Sequence, residues 1–199
     1  EAIGIGDEPY DALLDEFEPE SRAADLEPVF AELRERLAPL VAAAAGRPEA
    51  RLPAREWPEE GQMALAHEIA AMVGFAGDAG VIARSAHPFT SSPHRGDVRF
   101  TTRLRADDPI GNITAVLHEA GHALYEQGFP GEHVRTPLYD APSLGAHESQ
   151  SRFWENQVGR TPAFWRRLEP VMRRHMPAAM EGLDAALLSD TRASGGVRQ

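Results

Sequence analysis

The pentapeptide His118-Glu119-Ala120-Gly121-His122 constrains the chain more than any other feature, because an H-E-x-x-H spacing is useful only on a helix. Residues i and i+4 lie one above the other on a helical face, so two imidazoles placed there can reach one point. In an extended strand the same two positions would stand about 13 Å apart. The flanking sequence supplies the helix. Asp108 is an N-cap, Pro109 pre-sets the first turn, and Gly128 ends the segment. Between them Ile113, Val116, Leu117, Ala120 and Leu124 recur at spacings of three and four, the signature of an amphipathic helix with one buried face. The plainer alternative is an ordinary helix with two solvent-facing histidines.

Two imidazoles on one face are a half-built metal site, and imidazole nitrogen suits zinc. The chain has no cysteine, so any further protein ligand must be histidine, aspartate or glutamate. Glu126, Glu132, His133, Asp140, His147, Glu148 and Glu155 all follow within reach. Glu148, on a separate predicted helix, would give the two-His-one-Glu arrangement of a catalytic site with a fourth position open to water. Glu119 sits beside the ligands, where a carboxylate can act as general base on metal-activated water.

The rest of the chain reads as mainly helical. Residues 10–45 are predicted as a long amphipathic helical stretch whose apolar face is Leu26, Val29, Phe30, Leu33, Leu37, Leu40 and Val41, with Asp25 as a plausible N-cap. A proline-bearing connector, residues 46–58, separates it from a second helix over 58–75. Val81–Ala86 and Asp97–Leu104 are strand candidates, the latter by β-branched and aromatic alternation, with a loop over 87–96 between them. Helices are predicted again over 144–159 and from Pro162 towards His175. The expected organisation is an N-terminal helical segment (1–57), a core carrying the metal site (58–187) and a disordered polar tail (188–199). Hydrophobic residues make up 42% and charged residues 26% of the 199, an ordinary globular balance. The net charge of −11 sits almost wholly in the first 60 residues, which hold 16 acids against 6 arginines. Neither a basic patch nor a membrane-length apolar run occurs, so nucleic acid and membrane are not expected partners. The lack of cysteine agrees with a cytoplasmic location.

Four segments occur in order: HPF (His87–Phe89), DVRFT (Asp97–Thr101), HEAGH (His118–His122) and HESQ (His147–Gln150). With the neighbouring GHALYEQG and SRFWENQVGR, they resemble the carboxypeptidase Taq family of metallocarboxypeptidases. The resemblance implies a helical, zincin-like core with a small antiparallel β element, and a divalent ion, Zn²⁺ or Co²⁺. It also implies release of C-terminal amino acids from peptides with a free C-terminus, by a cytoplasmic homodimer. His118, His122 and Glu148 would be the metal ligands and Glu119 the base. His87, Arg99 and His147 would be candidates for substrate contact. Plainer roles are a structural ion pair for Asp97 and Arg99, and simple packing for His147.

Two further family signatures, I/V-R-x-x-A-D and G-x-x-Q-D-x-H-W, do not occur. Two functions therefore stand beside each other. One is a metallocarboxypeptidase; the other is a truncated, catalytically weak homologue that binds metal and acts as an interaction module. Arg99, Arg103 and Arg152 are candidates to hold a substrate carboxylate, and nothing in the sequence selects one.

Overall fold

Side-chain caps set where several of the helices begin. In the computed structural model, which describes residues 8–195, the Asp108 carboxylate accepts a hydrogen bond from the Gly111 N–H at 2.8 Å. Ser143 does the same for Ala146 at 3.0 Å and Thr161 for Phe164 at 3.2 Å, each satisfying an orphan donor of a first turn. In chain order the elements are α1 (Pro9–Phe17), α2 (Ala23–Ala45), α3 (Glu59–Val73), β1 (Gly80–Arg84), β2 (Thr90–His94), β3 (Asp97–Thr102), α4 (Pro109–Gln127), α5 (Leu144–Arg152), α6 (Pro162–His175) and α7 (Ala185–Gly195). The chain stays helical past Arg152, but the winding loosens to a π-helix over Phe153–Val158.

The fold is mainly helical, and α4 is its axis. Ile113, Val116, Leu117 and Ala120 are buried as their spacing requires. Around α4 pack α3, α5, the π-helical turn, α7 and the sheet. Strand β3 presents Val98, Phe100 and Thr102 inward and leaves Arg99 outside, the two-residue alternation of a half-buried strand. The Thr102 hydroxyl donates to Asn112 Oδ1 at 2.7 Å, and the Asn112 amide donates to the Gln62 carbonyl at 3.2 Å. These bonds tie β3, α4 and α3 together where polar groups are fully buried. No helix among the described residues is long and apolar enough to cross a membrane.

The structure departs from the sequence expectations at five places. The stretch over 10–45 is two helices, broken where Glu20 takes a φ of 67°; the Ala23 N–H is instead held by Asp11 at 2.7 Å. Arg22, not Asp25, is the N-cap of α2. The expected antiparallel element is the β2–β3 pair, and β1 joins β3 in parallel, giving a mixed sheet in the order β1-β3-β2. Strand β2 lies where a loop was expected; its proline, Pro93, is tolerated because the strand is at the sheet edge. Finally, residues 188–195 of the expected disordered tail are helical, while 196–199 lie outside the described residues. The buried face of α7 is Ala185, Leu188, Ser189 and Arg192. That is a helical spacing, hidden by the polar identity of two of its members.

α2 is helical for the reason expected, but its apolar face is uncovered: Phe30 is 58% and Leu40 64% exposed, and none of its residues is buried. Stability should therefore respond very differently to two like substitutions. Leu117→Ala, in the core, is expected to cost about 2 to 5 kcal/mol, whereas Leu37→Ala on α2 should stay within about 0.5 kcal/mol of the parent. Denaturant unfolding of the two variants measures the contrast.

Candidate metal centre

Helices α4 and α5 approach so closely that only glycine fits at position 121. A Cβ there would lie 2.5 Å from the Ser151 Cα and 2.8 Å from the Gln150 carbonyl oxygen, both backbone atoms. This approach brings Glu148 over the two histidines. Its Oε2 is 3.1 Å from His122 Nε2 and 3.6 Å from His118 Nε2, and the three ligand atoms lie within 4.8 Å of one another. Tetrahedral coordination with bonds of 2.0–2.2 Å separates ligand atoms by about 3.4 Å, so the arrangement fits a divalent ion.

Each of these side chains is held from behind. Ser151, fully buried, donates its hydroxyl to Glu148 Oε2 at 2.7 Å, and the Arg152 Nε donates to Glu148 Oε1 at 2.7 Å. Burial would raise the Glu148 pKa, but these bonds and the His118 charge outweigh it and hold the carboxyl ionised. His118 Nδ1 faces Glu155 Oε2 at 3.0 Å. Since an ionised carboxylate only accepts, the proton of neutral His118 sits on Nδ1 and Nε2 keeps its lone pair. The same Glu155 bond raises the His118 pKa. His122 behaves oppositely: burial, then the neighbouring His147 and His118, push its pKa down to about 4, so it stays a neutral ligand.

Glu119 is 6% exposed. Its Oε2 accepts the Thr90 hydroxyl at 2.6 Å, and the same hydroxyl reaches the Glu119 carbonyl at 3.2 Å. Burial raises the Glu119 pKa, with the Thr90 bond opposing it. The result is a carboxyl group that holds its proton more tightly than an ordinary one. Glu119 and His118 form part of the wall of a cavity of about 1010 Å³, together with His87, Arg103, Asn112 and Arg192.

The remaining candidates divide. His87 lines this cavity, exposed, with Nδ1 against the Pro88 carbonyl. Arg99 does not line it; its guanidinium is locked on Asp97 by two hydrogen bonds of 2.7 and 2.6 Å, the structural ion pair. His147 lies behind His122, the two ring centroids 4.7 Å apart, and away from the cavity lining. Sequence reasoning missed Thr90 altogether, although it directly follows HPF. It weighed Glu155 as a ligand; the π-helical turn instead aims it at the back of His118. It also missed Arg192, whose guanidinium meets Glu155 Oε1 at 3.4 Å with both side chains nearly buried.

A profile of the carboxypeptidase Taq (M32) metallopeptidases matches residues 1–191. The chain belongs to that family. Carboxypeptidase 1 of Bacillus subtilis is 41% identical over 165 residues, covering 81% of this chain and 33% of its own length. Thermostable carboxypeptidase 1 of Thermus thermophilus is 49% identical over 175 residues, which cover 84% of this chain and 34% of the relative. The crystal structure of the M32 carboxypeptidase from Deinococcus radiodurans superposes with a TM-score of 0.87 at 36% identity, over 92% of this chain and 37% of that one. The chain thus spans about a third of the length of the relatives it matches. As an M32 metallopeptidase chain it is expected to hold a divalent metal, and its His118, His122 and Glu148 are a group of suitable chemistry.

Because the site depends on the helix approach at Gly121, Gly121→Val should separate α4 from α5. The variant is expected to lose metal affinity at least tenfold and about 1–3 kcal/mol of stability by overpacking. Metal titration beside thermal unfolding checks both; a Gly121→Val protein with parental metal affinity would show that the approach is not needed.

Proposed function

We propose that the chain carries the metal centre of a metallocarboxypeptidase, releasing C-terminal amino acids from peptides. The observation that carries the proposal is the buried carboxylate of Glu119, on the cavity wall beside His118 and one residue from the converging ligand atoms. His118, His122 and Glu148 would hold the ion; two imidazoles and one carboxylate suit Zn²⁺ best, with Co²⁺ an alternative. Such an ion, when bound, supplies Lewis acidity that polarises a peptide carbonyl and eases deprotonation of water. Glu119 takes that proton. Thr90 holds one of its oxygens, burial raises its proton affinity, and the proton then passes to the leaving amine.

An exopeptidase of this kind needs a cation for the substrate's terminal carboxylate. Arg99 is tied to Asp97, and Arg152 to Glu148 and Glu155. Arg103 lines the cavity and has no hydrogen bond or ion pair among the described residues. We assign it as the anchor.

A second reading is a metal-holding module with little turnover of its own, working within an assembly. It is favoured by the uncovered apolar face of α2. A homodimer of this chain is one such assembly.

Glu119→Gln should retain metal but lower release of C-terminal residues by a factor of roughly 100 or more. Arg103→Gln should raise KM on free peptides, and C-terminally amidated peptides should resist the parent chain. Amino-acid release from free and amidated peptides, with and without chelator, checks all three. A parent chain that binds metal yet releases nothing from any free peptide supports the second reading.

A further inference from the structure

Behind the metal cluster, His147 and Glu126 form a line that ends on His122. Glu126 Oε1 lies 2.8 Å from His147 Nε2, and His147 Nδ1 lies 2.6 Å from His122 Nδ1. All three side chains are about four-fifths shielded from solvent. We propose that Glu126 and His147 act as a relay that fixes the tautomer and the orientation of His122, so that His147 is a positioning residue. The inference rests on the metal site proposed above.

An ionised carboxylate can only accept, so His147 must carry its proton on Nε2. Neutral His147 then offers Nδ1 as an acceptor, and the short contact to His122 requires His122 to donate from its own Nδ1. The lone pair of His122 is thereby left on Nε2, the atom 3.1 Å from Glu148 Oε2. The opposite tautomer would put a proton where the metal has to bind. His118 is oriented by Glu155 directly; His122 receives the same service one imidazole removed. Groups that orient a metal-binding histidine from behind are worth about 10- to 100-fold in metal affinity.

The competing explanation is packing. The His147 ring meets the His122 ring edge to edge, their planes 26° apart, and packs against Tyr125 at 4.9 Å, and a phenyl ring could fill that space as well. Two substitutions separate the explanations. His147→Gln offers an amide oxygen to His122 and an amide N–H to Glu126, keeping the relay without the ring. His147→Phe keeps the ring and removes both bonds.

The test is competition of Zn²⁺ between a chelator and the purified chain, with ¹⁵N NMR of the histidine rings. The parent should show His122 protonated on Nδ1. His147→Phe should bind Zn²⁺ at least tenfold more weakly and show mixed tautomers at His122. His147→Gln should stay close to the parent in both readouts. If His147→Phe fails to fold, Glu126→Leu carries the test, since it frees His147 to take either tautomer and should also weaken binding. Parental affinity in His147→Phe or Glu126→Leu, or a loss in His147→Gln as large as in His147→Phe, would overturn the relay while leaving the metal site standing. A parent chain that binds no Zn²⁺ would overturn both.

Discussion

Everything at the site depends on the contact of two helix backbones at Gly121. Helix α4 is pinned at its start by Asp108 and Pro109 and along its length by a fully buried face, so it cannot yield to a neighbour. Helix α5 must therefore come to it, and the missing Cβ decides how near. At that distance Ser151 is sealed at the interface, and its hydroxyl turns to its own helix, 2.7 Å from both the Glu148 carbonyl and the Glu148 carboxylate. The bond turns Glu148 towards the histidines. Helix packing, side-chain orientation and donor convergence thus follow one another from a single steric fact.

Four glutamates, 119, 126, 148 and 155, crowd around two histidines, an arrangement that would repel itself unless each had its own counterpart. Glu148 has Ser151 and Arg152; Glu155 has His118, Arg152 and Arg192; Glu126 has His147. Among the described residues the Glu119 carboxylate has only the neutral hydroxyl of Thr90 as a hydrogen-bond partner. The environments split accordingly. For Glu148 and Glu155 burial is outweighed and the pKa falls, whereas for Glu119 burial wins and the pKa rises. Carboxylates of one chemical type are thereby given different proton affinities by what surrounds them.

The parts legible in the sequence were those with strong local signals. Helix α4 declared itself through a cap, a proline, a periodic face and a terminal glycine, and the structure begins and ends it at the residues those signals mark. Strand β3 showed its alternation. Strand β2, TSSPH, offers serines and a proline, and it is a strand only because β3 lends it hydrogen bonds. Its Thr90, which holds Glu119, was invisible for the same reason. Glu126 and Glu155 were visible as acids near the motif but not as supports. Whether such a residue meets the metal or the back of a ligand depends on helix phase, and the π-helical turn shifts that phase by a residue. α7 was misjudged because its buried face includes a serine and an arginine, and composition alone reads those as solvent-facing.

Sequence distance separates the candidate ligands from much of the cavity wall. His118, His122, Glu148 and the residues behind them, except Arg192, come from α4, α5 and the turn that follows, neighbours in sequence whose contacts are local. The cavity wall is drawn from segments far apart: residues 49–55, His87, Arg103 and α7. Those remote parts are fastened to one another by modest means, such as Ser194, whose hydroxyl accepts from the Ala50 N–H at 3.1 Å and lies 3.2 Å from the Ala50 carbonyl. Disturbing α7 would therefore reshape the wall and loosen Glu155 through Arg192 while leaving His122 and Glu148 in place. The donor cluster is the sturdier half of the site, because local contacts cost little chain entropy to form. The shape of the cavity rests on long-range contacts that cost more.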